Sequence, residues 1–224
     1  YFLLVGFIIV AGIAVGQPSP RKGYLKRINE ITELLKTDSL NDELIWERLD
    51  MQVNLLDSRA MLENAFTMNV DSINNLAGTD HAYDAMQRDF ERIYHNIILQ
   101  RKFERVEEGD FYLNRMLFYV SLQAVDLAIN DALYLRRHAS YSRYSERGSY
   151  YNDWALYVLF KLYVLKRDYL QSLEAINSML EKKQKENPAV YFCAAGSFLN
   201  YADKIELYAH FHKRNELIAF LVER

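Results

Sequence analysis

The sequence has few residues that interrupt helices. Its 224 residues include only 8 glycines and 3 prolines. Both residue types destabilise helix interiors, and the turns of β-rich folds usually contain them, so their scarcity favours long helices over many short strands. Hydrophobic residues make up 50% of the chain, which excludes a disordered composition. We therefore expect an all-α fold.

Cysteine is also scarce, and the chain has no excess of basic charge. The one cysteine, Cys193, leaves no partner for a disulfide within the chain and excludes a multi-cysteine zinc site. The formal net charge of −3 argues against general nucleic-acid binding, which needs a basic face. The sequence contains no glycine-rich phosphate loop, no G-x-S-x-G and no H-E-x-x-H motif. We therefore expect no cofactor and no enzymatic activity.

The first part of the chain contains its longest run without a charge. As a helix, residues 1–16 would span about 24 Å at ~1.5 Å per residue, slightly less than a bilayer core of about 30 Å. The run predicts a transmembrane anchor at 1–17, followed by a juxtamembrane linker and short helix at 18–38. A signal peptide is one alternative, because Ala14 and Gly16 fit a cleavage site, and a buried core helix is another.

Arg21, Lys22, Lys26 and Arg27 follow the predicted anchor directly. Basic residues beside a span favour the cytoplasmic or matrix side, but the same residues could rest on anionic lipid headgroups. We expect a single-pass protein of a bacterial or organellar inner membrane, with the side that carries the helical domain left open.

Amphipathic periodicity continues through the rest of the chain, with the bundle domain at 39–224. Short predicted connections favour antiparallel neighbours, and therefore an extramembrane bundle of about five to six helices. No convincing internal repeat is found. Within the stretch 155–165 only Lys161 is charged, so its helix should be central in the bundle or pressed against a partner. The predicted helices lie at 24–36, 40–76, 81–108, 111–137, 154–185 and from 188 to the C-terminus, with Gly78 and Gly109 ending two of them.

A stretch between the fourth and fifth of these helices combines arginine with aromatic residues. Arginine, tyrosine and tryptophan are the residue types that dominate interaction hot spots, so the stretch predicts a partner-docking loop. A polar loop at the end of the bundle is the alternative, and nucleic-acid stacking is disfavoured by the acidic net charge. The candidate interface comprises Arg136, Arg137, Tyr141, Arg143, Tyr144, Arg147, Tyr150, Tyr151 and Trp154.

Two Glu-x-x-x-His pairs, Glu91 with His95 and Glu206 with His210, each place a carboxylate and an imidazole on one helix face. Di-iron sites in helix bundles instead use a Glu-x-x-His spacing with further carboxylates. The pairs are therefore interpreted as ordinary solvent-exposed pairs, and no metal is expected.

Together, the apolar first segment, the aromatic-rich helices and the missing catalytic motifs predict a non-catalytic membrane-anchored helical subunit that scaffolds or stabilises a larger membrane complex. Its expected partners are other membrane protein subunits or further copies of itself, and the lipid bilayer, without nucleic acid. A membrane-anchored sensor or ligand-binding domain is the first alternative, and a carboxylate/histidine metal-binding enzyme is the second.

Gly12 and Gly16 form a GxxxG pair inside the predicted anchor. Small residues at this spacing let a second membrane helix approach closely. Replacing both with leucine should therefore weaken association with neighbouring subunits, measured by native mass after mild detergent extraction. Unchanged association would mean that the anchor only tethers the chain and that the helical domain makes the contacts.

Overall fold

The computed structural model of this protein describes residues 20–56, 58–67, 81–100, 107–138, 145–186 and 201–222. All regular structure in these ranges is helical, which confirms the all-α prediction. The helices are shorter and more numerous than the five to six expected. They are α1 (Pro20–Leu35), α2 (Asp42–Leu55), α3 (Ser58–Glu63), α4 (His81–Ile93, extended by a π-helical turn at Tyr94–Ile98), α5 (Glu108–Ser121), α6 (Val125–His138), α7 (Ser145–Leu165), α8 (Tyr169–Glu186), α9 (Tyr201–His210) and α10 (Arg214–Val222).

Several predicted helices are interrupted at positions that contain neither glycine nor proline. The helix expected at 111–137 is broken at 122–124, and the one expected at 154–185 begins earlier, at Ser145, and is broken at 166–168. The helix expected at 40–76 ends at Leu55 and is followed by α3. Gly109 was expected to end a helix, yet it lies in the first turn of α5. Gly78, Pro188 and most of the C-terminal prediction before Tyr201 lie outside the described residues.

Two of these breaks, at 122–124 and 166–168, share one backbone conformation with the turn between α9 and α10. Gln123, Arg167 and His212 have positive φ angles of 58°, 59° and 54°. In each turn this residue ends one helix in the left-handed region, which normally favours glycine. The conformation reverses the chain within three residues, so each turn joins two antiparallel helices into a hairpin: α5 with α6, α7 with α8, and α9 with α10.

The three turns also share their hydrogen bonds. The residue after each left-handed position donates its N–H back to a tyrosine carbonyl, Tyr119, Tyr163 or Tyr208, at 2.9, 2.9 and 2.8 Å. This is the six-to-one bond of a Schellman motif. The left-handed residues are 44 and 45 positions apart. The structure therefore contains a repeated hairpin. Apart from the shared tyrosine, this repeat is not recognisable in the sequence.

The hairpins stack side by side, because α6 packs on α7 and α8 packs on α9. Their turns lie at one end of the domain. Lys166 Nζ in the second turn lies 2.7 Å from Asp126 Oδ1 beside the first, and Tyr169 contacts Phe211 of the third with ring centroids 5.4 Å apart. We call this end, defined by residues 122–124, 166–168 and 211–213, the turn end.

The centre of the stack is α7. Its residues from 155 to 162 are all buried, Lys161 included, and so are Val164 and Leu165. The expectation that this stretch is central in the bundle is confirmed. A helix that is apolar on every side must be covered on every side, and the neighbours of α7 in the stack are α6, α8, α5 and α3.

Polar contacts from α2 hold the first part of the chain to the stack. Asn114 of α5 donates to Asp50 Oδ1 at 2.8 Å, and Arg92 of α4 donates to Asp42 Oδ1 at 2.7 Å. Arg48 pairs with Asp89 of α4. α2 thus contacts α4 and α5 through side chains on successive turns, in addition to the apolar contacts of Ile45, Leu49 and Val53.

The predicted anchor at 1–17, with Gly12 and Gly16, lies outside the described residues. None of the helices described is both long enough and apolar enough to cross a membrane. The short helix predicted within 18–38 is present as α1.

The turn at Gln123 offers a test of the repeated geometry. Its side-chain Oε1 is buried and accepts no hydrogen bond within the described structure, so the side chain contributes little beyond its backbone. Replacing Gln123 with glycine should yield a protein about 1 kcal/mol more stable than the alanine variant, because only glycine adopts the left-handed region without a Cβ clash. Urea unfolding of both variants measures the difference. Equal stabilities, or a more stable alanine variant, would contradict the assigned turn.

Candidate partner interface

Tyr151, predicted as an exposed contact residue, is instead part of the core. Only 2% of its surface is exposed, and its hydroxyl donates to Asp110 Oδ1 at 2.7 Å. Burial, and then the hydrogen bond to Asp110, raise the pKa of Tyr151 far above its ordinary value. The ring packs on the backbone of α5, where a Cβ built on Gly109 would lie under 3.0 Å from ring atoms. The absence of a side chain at Gly109 therefore lets α7 approach α5.

Those of the other predicted interface residues that the structure describes do not form one exposed patch. Arg136 donates to Glu174 Oε1 at 3.1 Å and to Ser178 Oγ at 3.3 Å, so it joins α6 to α8. Trp154 is half-buried against Tyr157, with ring centroids 5.9 Å apart. Arg137 is exposed. Tyr141, Arg143, Tyr144 and the side chains of Arg147 and Tyr150 lie outside the described residues.

An arginine that the sequence analysis did not single out lies inside the first hairpin. Arg115 of α5 donates to both carboxylate oxygens of Asp131 in α6, at 2.8 and 2.7 Å. Its guanidinium also lies over four rings, at 4.9 to 5.8 Å from their centroids: Tyr94, Phe111, Tyr112 and Tyr119. The charge is therefore satisfied within the fold, and Arg115 fixes the register of α5 against α6. Both partners lie eight residues from Gln123, on either side of the turn, and this symmetry is recognisable only once the turn is known.

Lys161, the one charge in the apolar stretch of α7, connects the second and third hairpins. It is 5% exposed, and its Nζ lies 3.5 Å from Asp203 Oδ1 of α9. The rings of Phe66 and Phe160 enclose the ammonium, with centroids at 4.8 and 5.3 Å. A buried charge without its partner is strongly destabilising, so this pair ties the position of α9 to that of α7.

The two Glu-x-x-x-His pairs are separate and lie in different surroundings. Glu91 and His95 are exposed, and Gln87 donates to Glu91 at 3.0 Å. His210 is half-buried beside Phe66, and burial and then Arg167 lower its pKa from the ordinary value. Within the described ranges, no group of three or more histidine, cysteine, aspartate or glutamate residues could hold a metal ion.

An exposed apolar helix that the sequence did not mark as an interface is α10. α10 has no buried residue, although most of its sequence is apolar. Phe220 faces α9, where it contacts Tyr201 and Tyr208 at 5.7 and 5.9 Å. On another side of the helix, Ile218, Leu221 and Val222 are 50%, 54% and 79% exposed. We call these three residues the α10 face. It is the best candidate for a partner interface in the described part of the chain.

Two helical glycines, Gly109 and Gly23, allow a matched test of the Tyr151 assignment. Gly109→Ala should destabilise the protein by about 1–3 kcal/mol, because the new methyl group would overlap the Tyr151 ring. Gly23→Ala is the control, since a Cβ at Gly23 meets nothing within 4 Å, and alanine there should be neutral or stabilising. Unfolding free energies in urea compare the two. A neutral Gly109→Ala would mean that Tyr151 does not pack on α5.

The charged residues described above, Arg115, Arg136 and Lys161, are already paired with carboxylates of the fold, so they are not available to a ligand. The α10 face, in contrast, is open to a partner. Function has to be argued from this site, because a helical bundle as such hosts many functions. No protein-family model, curated protein or solved structure matches this chain.

Proposed function

We propose that this protein is a non-catalytic helical subunit that is anchored in a membrane by residues 1–17 and scaffolds a larger membrane complex through its α10 face. The observation that carries the proposal is the exposure of Ile218, Leu221 and Val222 on the second helix of the third hairpin. Anchorage is supported by the uncharged sequence of residues 1–16 and the basic residues that follow it.

The earlier hairpins indicate what the α10 face would bind. The second helix of the first hairpin, α6, is covered by α7, and the second helix of the next hairpin, α8, is covered by α9. α10 holds the same place in the third hairpin, and its α10 face is uncovered in the described structure. Repeat proteins bury a continuous core by stacking, and a helix left uncovered on its outer side leaves part of that core exposed to solvent.

The partner proposed for this face is therefore an amphipathic helix of another subunit, packed on α10 as α7 packs on α6. Such a helix would bury Ile218, Leu221 and Val222. Complete transfer of a fully exposed side chain of this kind from water into an apolar interface contributes about 1.5–3 kcal/mol of binding free energy. Binding of an amphipathic helix in an apolar groove is a recurrent mode of protein recognition. Scaffolding of this kind needs no catalytic group, in agreement with the polar residues being used inside the fold.

The test is the double substitution Ile218→Gln and Leu221→Gln in the full chain. Because both side chains are exposed, the variant should fold with an unchanged unfolding free energy. It should lose at least about tenfold in affinity for its partner subunits, because burial of the two apolar side chains no longer contributes to binding. Native mass after mild detergent extraction would measure the remaining complex.

Leu40→Gln is the matched control, since Leu40 is 78% exposed but lies between α1 and α2, far from α10 in the chain. The proposal predicts that this variant retains its partners. Equal losses in both variants, or none in either, would exclude the α10 face as the interface. A parent protein that migrates alone as a monomer would exclude the scaffold function itself.

A further inference from the structure

The direction of α1 can be followed from its contacts. α2 runs parallel to α5, because Trp46 contacts Phe111 and, one turn further along both helices, Asp50 contacts Asn114. α5 ends at the turn end, so the C-terminus of α2 points there as well. α1 is joined to α2 by a short connection and pairs with it midway, through Arg27 and Glu47 at 2.8 Å. It therefore runs antiparallel to α2.

The consequence is that α1 begins at the turn end. Pro20 precedes Arg27 by seven residues, which is about 10 Å along a helix in the direction of the turn end. Residues 1–17, for which anchorage is proposed above, are connected to the domain at this point. The end of the domain nearest to that attachment is therefore the end formed by the three hairpin turns.

Exposed basic side chains are present at this end. Arg21, Lys22 and Lys26 come from the beginning of α1. The second and third hairpin turns add four more cations, Lys166, Arg167, Lys213 and Arg214. The carboxylates described at this end are Glu30, Glu63, Asp126, Asp168, Glu206 and Glu216. Asp126 is paired with Lys166, and Glu30 is paired with Lys26 at 3.7 Å. The seven cations thus exceed the six carboxylates here, although the whole chain has a net charge of −3.

The opposite end has a different balance. α5 begins there with Glu107, Glu108 and Asp110 close together. The Tyr151 hydroxyl donates hydrogen bonds to Glu107 and Asp110, and the Tyr134 hydroxyl donates one to Glu108. Cations lie at this end too, and two of them, Lys36 and Arg136, are paired with Glu33 and Glu174.

Apolar side chains accompany the cations. Leu127 and Leu170 lie in the first turns of α6 and α8, immediately after the hairpin turns. They are exposed, Leu170 by 72%. Leucine beside lysine and arginine at the end of a domain is the combination that binds membrane interfaces, where apolar groups enter the headgroup region and cations meet lipid phosphates.

We propose that the turn end docks on the surface of an anionic lipid bilayer, so that the hairpins stand upright on the membrane with their turns against the headgroups. The inference rests on the proposed anchorage of residues 1–17, and it adds an orientation and a lipid class to it. Each cation near an anionic surface favours the docked state by about fivefold, and salt weakens this attraction.

The experiment uses the full chain reconstituted in lipid nanodiscs of phosphatidylcholine, with or without phosphatidylglycerol. Lysine acetylation, detected by mass spectrometry, reports which side chains the bilayer covers. Lys22 and Lys166 should be acetylated several-fold more slowly in the anionic discs, and the protection should decline at high salt. Lys36 is the internal control, because it lies at the opposite end and its side chain is 64% exposed.

A charge-reversal pair separates docking from anchorage. Arg167→Glu with Arg214→Glu should abolish the protection of Lys166, whereas Arg137→Glu at the opposite end should leave it intact. If Lys22 and Lys166 react equally in both lipids while the chain stays in the discs, the docking inference is overturned and the anchorage stands. Protection that is independent of lipid charge and disappears when co-purified subunits are removed would also overturn it, in favour of an acidic protein partner. A chain that does not stay in either disc would overturn the anchorage.

Discussion

The described structure depends on one constraint, which is that α7 has no side to expose to water. Its buried stretch follows the chain through 155–165, where nearly every residue is apolar, and the one charged residue is paired in place with Asp203. Two helices cannot cover a third on all sides, so the hairpins on both flanks and α3 must close around it. Tyr151 adds to this constraint, because α7 approaches α5 closely only where α5 contains glycine. The position of the remaining helices follows from the need to complete this enclosure.

Much of the helical content could be predicted from periodicity and from the scarcity of glycine and proline. The short helix α1, the beginning of α4 at His81 and the burial of α7 agree with the pattern. The hairpin turns could not be predicted in this way, because Gln123, Arg167 and His212 are not residues that mark helix ends. Here tertiary contacts stabilise a left-handed backbone against its local cost, which is roughly 1–2 kcal/mol for a residue with a side chain. The shared tyrosine carbonyls become visible as a repeat only after the turns are known.

The candidate interface illustrates a second limit of sequence reasoning. Arginine and aromatic residues are typical of hot spots, but the same residue types also build internal pairs, and composition does not distinguish the two. Tyr151 and Arg136 are used inside the fold, as is Arg115, which has the same chemistry and was not considered. The α10 face was missed for the opposite reason, since its apolar residues resemble those of any core helix. Only the absence of a covering helix in the described structure distinguishes it.

The one-sided contacts of α10 in the described structure have a consequence for its own stability. In a linear array each repeat is stabilised by its neighbours, and the described contacts of α10 come from one side only. A helix of nine residues is marginal without such support, and local opening is easiest where buried contacts are fewest. At the proposed interface, α10 would therefore meet its partner in equilibrium between ordered and frayed states. The measured affinity would include the free energy of ordering that helix, and conditions that favour helix formation would tighten the complex without altering any atom at the interface.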